Sequence, residues 1–196
     1  MALATPTRSD HNGPMPLSSK QRGVLAGMIT ALLLAIAAIA GVRMAAEHLV
    51  LPADELGPRL RYGLPFELLP VLVMMLTIGV LARHRFVTPQ DIDGSGLTPG
   101  SERARLLQAV LQNTLEQLVL ALPTHLLWLV LVPLEWLAVA PACAVAWVVG
   151  RGLFALGYSR GAPSRALGFA LTFYPTVLMI GLLLYLWAAG SLVVAR

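Results

Sequence analysis

The sequence predicts an all-α integral membrane protein whose helices cross the bilayer five times. Hydrophobic residues make up 57% of the chain and charged residues 12%, against ~45–50% and ~25% in soluble domains. The apolar residues are gathered into five runs, each long enough to span a bilayer as a helix rising about 1.5 Å per residue. The net charge of +4 comes from arginines that flank these runs. That pattern is typical of oriented membrane helices, so we expect the lipid bilayer as a partner and no nucleic acid.

The first apolar run covers residues 23–42 and contains no charged residue. Residues 1–21 before it are polar and rich in Pro, Ser, Thr and Gly, which predicts a disordered tail. A cleaved secretory signal is the alternative, because Arg22 precedes the run and small residues follow it. The run is longer than the ~7–15 apolar residues of such signals. This length favours a retained transmembrane helix over residues 22–43.

The remaining four runs predict the other membrane spans. They cover residues 64–82, 103–131, 134–158 and 166–194. The segments between them, residues 43–63 and 83–102, contain Pro and Gly and are predicted to be connections. We expect Glu67, near the start of the second span, at the membrane interface. In the third span, Thr124 and His125 follow Pro123 and are expected to satisfy backbone groups that the proline frees.

The placement of lysine and arginine predicts the orientation of the spans. If the spans alternate in direction, ten basic residues lie on one side of the membrane: Arg8, Lys20, Arg22, Arg83, Arg85, Arg103, Arg105, Arg151, Arg160 and Arg165. Four lie on the other side: Arg43, Arg59, Arg61 and Arg196. Because cytoplasmic loops carry the excess of Lys and Arg, the richer side and the N-terminus are predicted to be cytoplasmic. In a bacterium the membrane would be the plasma or inner membrane.

A polar stripe runs along the third span. At about 100° per residue, one face of this helix carries six polar side chains: Arg105, Gln108, Gln112, Asn113, Glu116 and Gln117. A carboxylate within a span is costly unless it is paired or hydrated, so Glu116 needs a cationic partner. Arg151 near the end of the fourth span is the natural candidate, and it shares a helix face with Phe154 and Tyr158. The pair either joins two helices or belongs to a polar pocket for an anionic ligand.

Metal binding has little support in the sequence. The single cysteine, Cys143, excludes an intramolecular disulfide and a multi-cysteine zinc site. The four histidines are scattered and match no H-E-x-x-H pattern, so we expect no metal centre. Residues 91–102 match part of an EF-hand loop, with Gly96 at the sixth position and Glu102 at the twelfth. Pro99 at the ninth position and the lack of a second hand favour a simple turn over a calcium site.

Two motifs on these spans resemble a known family. The first is Asn113-x-x-Glu116 in the third span. The second is Arg151-x-x-Phe154-x-x-x-Tyr158, followed after six intervening residues by Arg165. In this order and spacing they resemble the MAPEG family, the membrane-associated proteins in eicosanoid and glutathione metabolism. They are most similar to its leukotriene C4 synthase and microsomal glutathione transferase branch.

The resemblance implies a MAPEG-type four-helix transmembrane bundle over residues 64–194, with the span at residues 22–43 as an added N-terminal helix. It also implies a homotrimer that binds glutathione, as a co-substrate, near the cytoplasmic face. Arg165 corresponds to the family's catalytic arginine, which stabilises the thiolate. The ligand-binding positions that correspond are Asn113, Glu116, Arg151 and Tyr158, to which we add the basic residues Arg83 and Arg160.

The expected function is therefore that of a membrane-embedded glutathione S-transferase-like enzyme. It would bind glutathione, or another low-molecular-weight thiol, and transfer it to a lipophilic electrophile or use it to reduce a lipid hydroperoxide. Ala109 stands where the family commonly has an arginine, and Gln117 and Phe154 stand where tyrosine is frequent. These departures favour the alternative, a non-catalytic membrane scaffold or lipid-binding protein on the same fold.

Overall fold

The computed structural model describes residues 16–94 and 96–193, and all regular elements in these ranges are helical. The long helices are α1 (Ser19–Met44), α2 (Leu56–Val87), α3 (Glu102–Leu131), α4 (Val139–Gly157) and α5 (Ala162–Ala188). Single 3-10 turns at Leu134–Trp136 and Tyr158–Arg160 flank α4. With the turns at both ends of α4 included, five helical segments are long and apolar enough to cross a membrane. The predicted all-α membrane architecture is confirmed.

Helix α1 begins at Ser19, within the segment predicted to be a tail. Ser18 and Gln21 form a capping box at this end. The Ser18 hydroxyl accepts a hydrogen bond from the Gln21 backbone N–H at 3.3 Å, and the Gln21 side chain accepts one from the Ser18 N–H at 2.8 Å. The box satisfies two of the N–H groups that a helix start leaves unpaired. The rest of the predicted tail, residues 1–15, lies outside the described residues.

Two helices extend beyond the spans that hydropathy predicts. Helix α2 begins at Leu56, within the predicted connection, and Pro58 lies in its first turn, where a missing N–H costs nothing. It continues through Pro65 and Pro70. Helix α5 begins at Ala162, before the predicted start at residue 166, and again has a proline in its first turn. Hydropathy reports the apolar core of a span, so it misses polar turns that extend the helix.

The five helices form a bundle around α4, which is the most buried span. Helix α2 packs against α3 and α4, and α1 packs along α5 and part of α4. The chain crosses the bundle alternately, so α1, α3 and α5 begin at the end where α2 and α4 finish. We call this the arginine-rich end, since Arg83, Arg85, Arg105, Arg160 and Arg165 lie there. The many large apolar side chains exposed on α1 and α2 suit contact with lipid.

Helices α4 and α5 approach so closely that their backbones touch at two glycines. A Cβ on Gly157 would stand 2.2 Å from the Ser164 carbonyl oxygen, and one on Gly168 would stand 2.3 Å from the Phe154 nitrogen. Small residues allow this kind of approach between membrane helices. The contact brings the end of α4 beside the first turns of α5, where the sequence-predicted site residues lie.

The opposite end of the bundle contains a buried polar pair that the sequence did not predict. Glu67 is buried, not at the membrane interface as expected, and its carboxylate oxygens lie 3.0 and 3.1 Å from Nδ1 of His125. His125 therefore hydrogen-bonds to Glu67 and not to the backbone near Pro123. Thr124 does bond to the backbone, donating to the Leu120 carbonyl at 2.7 Å. The pair joins α2 to α3 within the span.

The α4–α5 contact predicts that Gly168→Ala destabilises the protein by about 1–3 kcal/mol, because the added methyl group overlaps the α4 backbone and forces the helices apart. Gly181 on the same helix has open space at its Cβ position, so Gly181→Ala is the matched control. Thermal unfolding in detergent measures both variants. Equal melting temperatures for the two variants would contradict the close packing.

Candidate functional site

A buried arginine joins the polar face of α3 to α4. Arg151 is 2% exposed, and its guanidinium donates to Oδ1 of Asn113 at 2.9 Å and to Oγ1 of Thr114 at 2.9 Å. Its Cζ lies 4.1 Å from the ring centroid of Phe154, a cation–π contact that is stronger away from water. Phe154 thus supports the arginine through the face of its ring. Thr114 is an unspecified position of the Asn113-x-x-Glu116 motif, so the sequence did not predict it as part of the site.

Glu116 is connected to Arg151 through an amide and not by the direct ion pair that the sequence suggested. Asn113 accepts from Arg151 and donates to Oε2 of Glu116 at 3.4 Å. Gln112 donates to Oε1 of the same carboxylate at 3.0 Å. Both Gln112 and Glu116 are exposed on α3, whereas Gln117, next in the chain, is buried. The polar stripe therefore straddles the boundary between the bundle interior and its surface.

Arg165 lies across from this network on the first turns of α5. Its Cζ is 4.3 Å from the ring centroid of Tyr158, and the Tyr158 ring meets Phe154 edge to face at 5.3 Å between centroids. A cavity of about 360 Å³ opens here, and Asn113, Tyr158 and Arg165 are among its lining residues. We call it the Arg165 cavity. Its volume falls within the usual ~300–1,000 Å³ of small-molecule pockets.

The structure brings five of the seven predicted site residues into one neighbourhood: Asn113, Glu116, Arg151, Tyr158 and Arg165. The other two, Arg83 and Arg160, are exposed at the same end of the bundle. Arg160 donates to the Leu156 carbonyl of the preceding turn at 3.0 and 3.3 Å. Both are placed to attract an anion to this end, outside the enclosed part of the site.

A second cavity, of about 310 Å³, lies between the end of α2, the following loop and the start of α3. Arg105, Gln108 and Ala109 line it, and Arg85 donates to Oε1 of Gln108 at 2.9 Å. Arg105 therefore faces a different cavity from that of Arg165. The loop between α2 and α3 folds around the buried side chain of Asp91.

The Asp91 carboxylate is hydrogen-bonded within the loop that resembles an EF-hand. Its carboxylate accepts from the hydroxyl and the backbone N–H of Ser101, each at 2.6 Å, and its Oδ2 lies 3.0 Å from Nε2 of His84. The two Ser101 bonds, with a smaller contribution from His84, hold the pKa of Asp91 below its ordinary value of 3.8. Ser101 also caps α3 by accepting from the Ala104 N–H at 3.1 Å. Among the described residues, no cluster of three His, Cys, Asp or Glu could hold a metal ion.

The family model named MAPEG family matches residues 64–185, which covers most of the chain and all five clustered residues. The chain belongs to the MAPEG family. A protein of Synechocystis sp., named Uncharacterized protein sll1147, is 34% identical over 123 residues, or 62% of this chain and 83% of that protein. No solved structure matches the chain significantly. The MAPEG match begins after α1, so α1 lies outside the part of the chain that the family model describes.

The hydrogen bonds of Asp91 predict a pH-dependent stability. An aspartate whose pKa is lowered on folding stabilises the folded state fully above about pH 4, and this stabilisation is lost as the pH falls through the lowered pKa. Asp91→Asn should therefore lower the melting temperature at pH 7, and its difference from the wild type should shrink as the pH falls below 3.8. Asp93→Asn, at an exposed position of the same loop, is the control. If the difference in melting temperature between Asp91→Asn and the wild type stays constant with pH, the lowered pKa of Asp91 is contradicted.

Proposed function

We propose that the chain is a glutathione S-transferase-like membrane enzyme that binds glutathione, or a similar low-molecular-weight thiol, in the Arg165 cavity. Family membership places it among membrane proteins of glutathione and eicosanoid metabolism. The observation that carries the finer proposal is the position of Arg165. Its guanidinium lies against Tyr158 at the lining of a cavity that Asn113 also lines.

Arg165 suits the task of stabilising a thiolate. A free thiol has a pKa of about 8.5, so it is mostly protonated at neutral pH, and a nearby cation increases the fraction of the reactive thiolate. Arginine stays protonated even where water is scarce. The stacking of Arg165 on the Tyr158 ring restricts the guanidinium without neutralising it. Arg165 would thus hold the sulfur, which makes it the catalytic residue of the proposal.

The network on α3 and α4 would hold the peptide part of the thiol. The Glu116 carboxylate is exposed and suits an α-amino group, and the Asn113 amide suits a peptide group. Arg151 fixes Asn113 from within the bundle. Arg83 and Arg160 are exposed cations at the same end and would attract the carboxylates of glutathione.

Two reactions fit such a site. In conjugation, the thiolate attacks an electrophilic carbon, a carbon–sulfur bond forms, and the displaced group leaves or the adjacent carbon takes up a proton. In peroxide reduction, the thiolate attacks the terminal oxygen of a lipid hydroperoxide, a sulfur–oxygen bond forms and the oxygen–oxygen bond breaks. The products are glutathione sulfenic acid and an alkoxide, which takes up a proton to become the lipid alcohol. A second glutathione then releases water and leaves glutathione disulfide. In both reactions the lipophilic substrate would arrive from the bilayer.

We also propose a homotrimer with the site on the cytoplasmic side. The side that is rich in Lys and Arg supports this orientation. Gln112 and Glu116 are exposed side chains on a membrane-spanning helix, where contact with lipid is costly. A neighbouring copy of the chain covering this face would remove that cost.

A non-catalytic scaffold or lipid-binding role is the second candidate. Arg151, Asn113, Thr114 and Glu116 bond to one another without a ligand, although Nε of Arg151 has no hydrogen-bond partner among the described residues. Such a network would be equally useful for joining α3 to α4. The two candidates differ in what Arg165 does, so a test of this residue separates them.

We expect Arg165→Ala to slow the conjugation of a model electrophile at pH 7 by about tenfold or more. The pH of half-maximal conjugation should rise by roughly 1–2 units, because the bound thiol loses its stabilising cation. Arg165→Lys should keep part of the wild-type rate and show a smaller rise in the pH of half-maximal conjugation, because lysine also carries a positive charge. Conjugation by the purified protein across a pH series measures both quantities, and calorimetry measures glutathione binding by the wild type and by Glu116→Gln.

Arg103→Ala is the charge-matched control, since Arg103 is exposed in the first turn of α3. An Arg165→Ala variant that conjugates at the wild-type rate would remove the catalytic role of this residue. A wild-type protein that does not bind glutathione would favour the second candidate or a different thiol.

A further inference from the structure

The added helix α1 forms one wall of the Arg165 cavity. Val24 and Met28, one turn apart on α1, line the cavity together with Arg165 and Phe169 of α5. Because α1 lies outside the MAPEG match, this wall is a feature of the chain beyond its family domain. The family resemblance says nothing about what the wall does.

Two glycines set the position of this wall. A Cβ on Gly23 would stand 3.0 Å from the Pro163 Cβ, and a Cβ on Gly27 would stand 3.0 Å from the Leu167 nitrogen. Helix α1 therefore rests directly on the first turns of α5, at the level of Arg165. Val24 and Met28 directly follow these glycines in the chain. The contact between α1 and α5 at the glycines therefore fixes the rotation of α1 that places both side chains at the cavity.

Burial along α1 supports this placement. Val24 and Met28 are half-buried, whereas Leu25 and Ile29 are exposed at 44% and 49%. The exposed pair faces the surroundings of the bundle at the same depth in the membrane. The same turns of α1 thus present one apolar pair to the cavity and another apolar pair to the outside.

The lining of the cavity is chemically mixed. Arg165, Tyr158 and Asn113 provide polar groups, one of them a cation, and Val24, Met28 and Phe169 provide apolar surface. A ligand that fills such a space combines a polar or anionic head with an apolar group. Methionine suits an apolar wall that must fit several shapes, because its side chain is flexible and polarisable.

We propose that Val24 and Met28 form a subsite for the alkyl portion of the lipophilic co-substrate, so that α1 determines which electrophiles the site accepts. This inference rests on the proposed thiol-binding function and adds the substrate class: compounds that carry an apolar chain next to the reacting carbon. The chain would lie between α1 and α5, while the reacting carbon stays near the sulfur beside Arg165.

Binding of S-alkyl glutathiones tests the subsite without requiring catalysis. Calorimetry on the full-length protein in detergent would compare glutathione, S-methylglutathione and S-hexylglutathione. We expect the wild type to bind the hexyl compound more tightly than the methyl compound, since each buried methylene group contributes roughly a threefold to fourfold gain in affinity. In Met28→Ala this preference should fall by about fivefold to tenfold, with the affinity for glutathione unchanged.

Ile29→Ala is the matched control, since it removes a side chain of similar size from the same turn on the exposed face. It should leave both the hexyl preference and the glutathione affinity as in the wild type. Met28→Leu should restore most of the preference, because it restores apolar volume.

The outcomes separate this inference from the function on which it rests. Glutathione binding by all variants with an unchanged hexyl preference in Met28→Ala would overturn the subsite and leave the thiol site standing. An equal loss of preference in Ile29→Ala would overturn it too, since the effect would not be specific to the cavity face. A wild type that binds none of the three compounds would overturn the thiol site and the subsite together.

Discussion

The burial of Arg151 within a membrane-spanning helix is the constraint on which the candidate site depends. A guanidinium removed from water is costly unless hydrogen bonds and nearby electron-rich groups replace its hydration. Here Asn113 and Thr114 supply two acceptors from α3, and the face of Phe154 supplies a cation–π contact from the next turn of α4. These contacts fix the rotation of α3 against α4. They also determine where Asn113, and through it Glu116, can lie.

The close approach of α4 and α5 extends this arrangement to the second arginine. With no side chains at Gly157 and Gly168 to separate them, the end of α4 lies against the start of α5. Tyr158 therefore meets Arg165, and Phe154 touches both Tyr158 and Phe169. Arg151 donates to two acceptors inside the bundle and holds the framework, and Arg165 lies at the cavity. This difference in surroundings is why the proposed function gives Arg151 a positioning role and Arg165 the role at the sulfur.

The sequence predicted the membrane class well because hydropathy depends on composition over some twenty residues. It identified the polar residues of α3 but could not show which of them face inward. That division depends on tertiary packing, which buries Gln117 and leaves Glu116 exposed. Thr114 was missed because a threonine in an apolar span carries no charge signal. Glu67 was misplaced because its partner, His125, is 58 residues away in the chain.

The two ends of the bundle differ in a way that bears on function. At the end opposite the arginine-rich end, Arg59 is fully buried and donates to Asp54 at 3.0 Å and to the Val132 carbonyl, and Trp128 donates to the Trp136 carbonyl at 2.8 Å. These contacts fasten the loops at that end to the helices. At the arginine-rich end, charged and amide groups surround open space. In the proposed function, the polar ligand would enter there, and the apolar one between α1 and α5 would meet it beside Arg165.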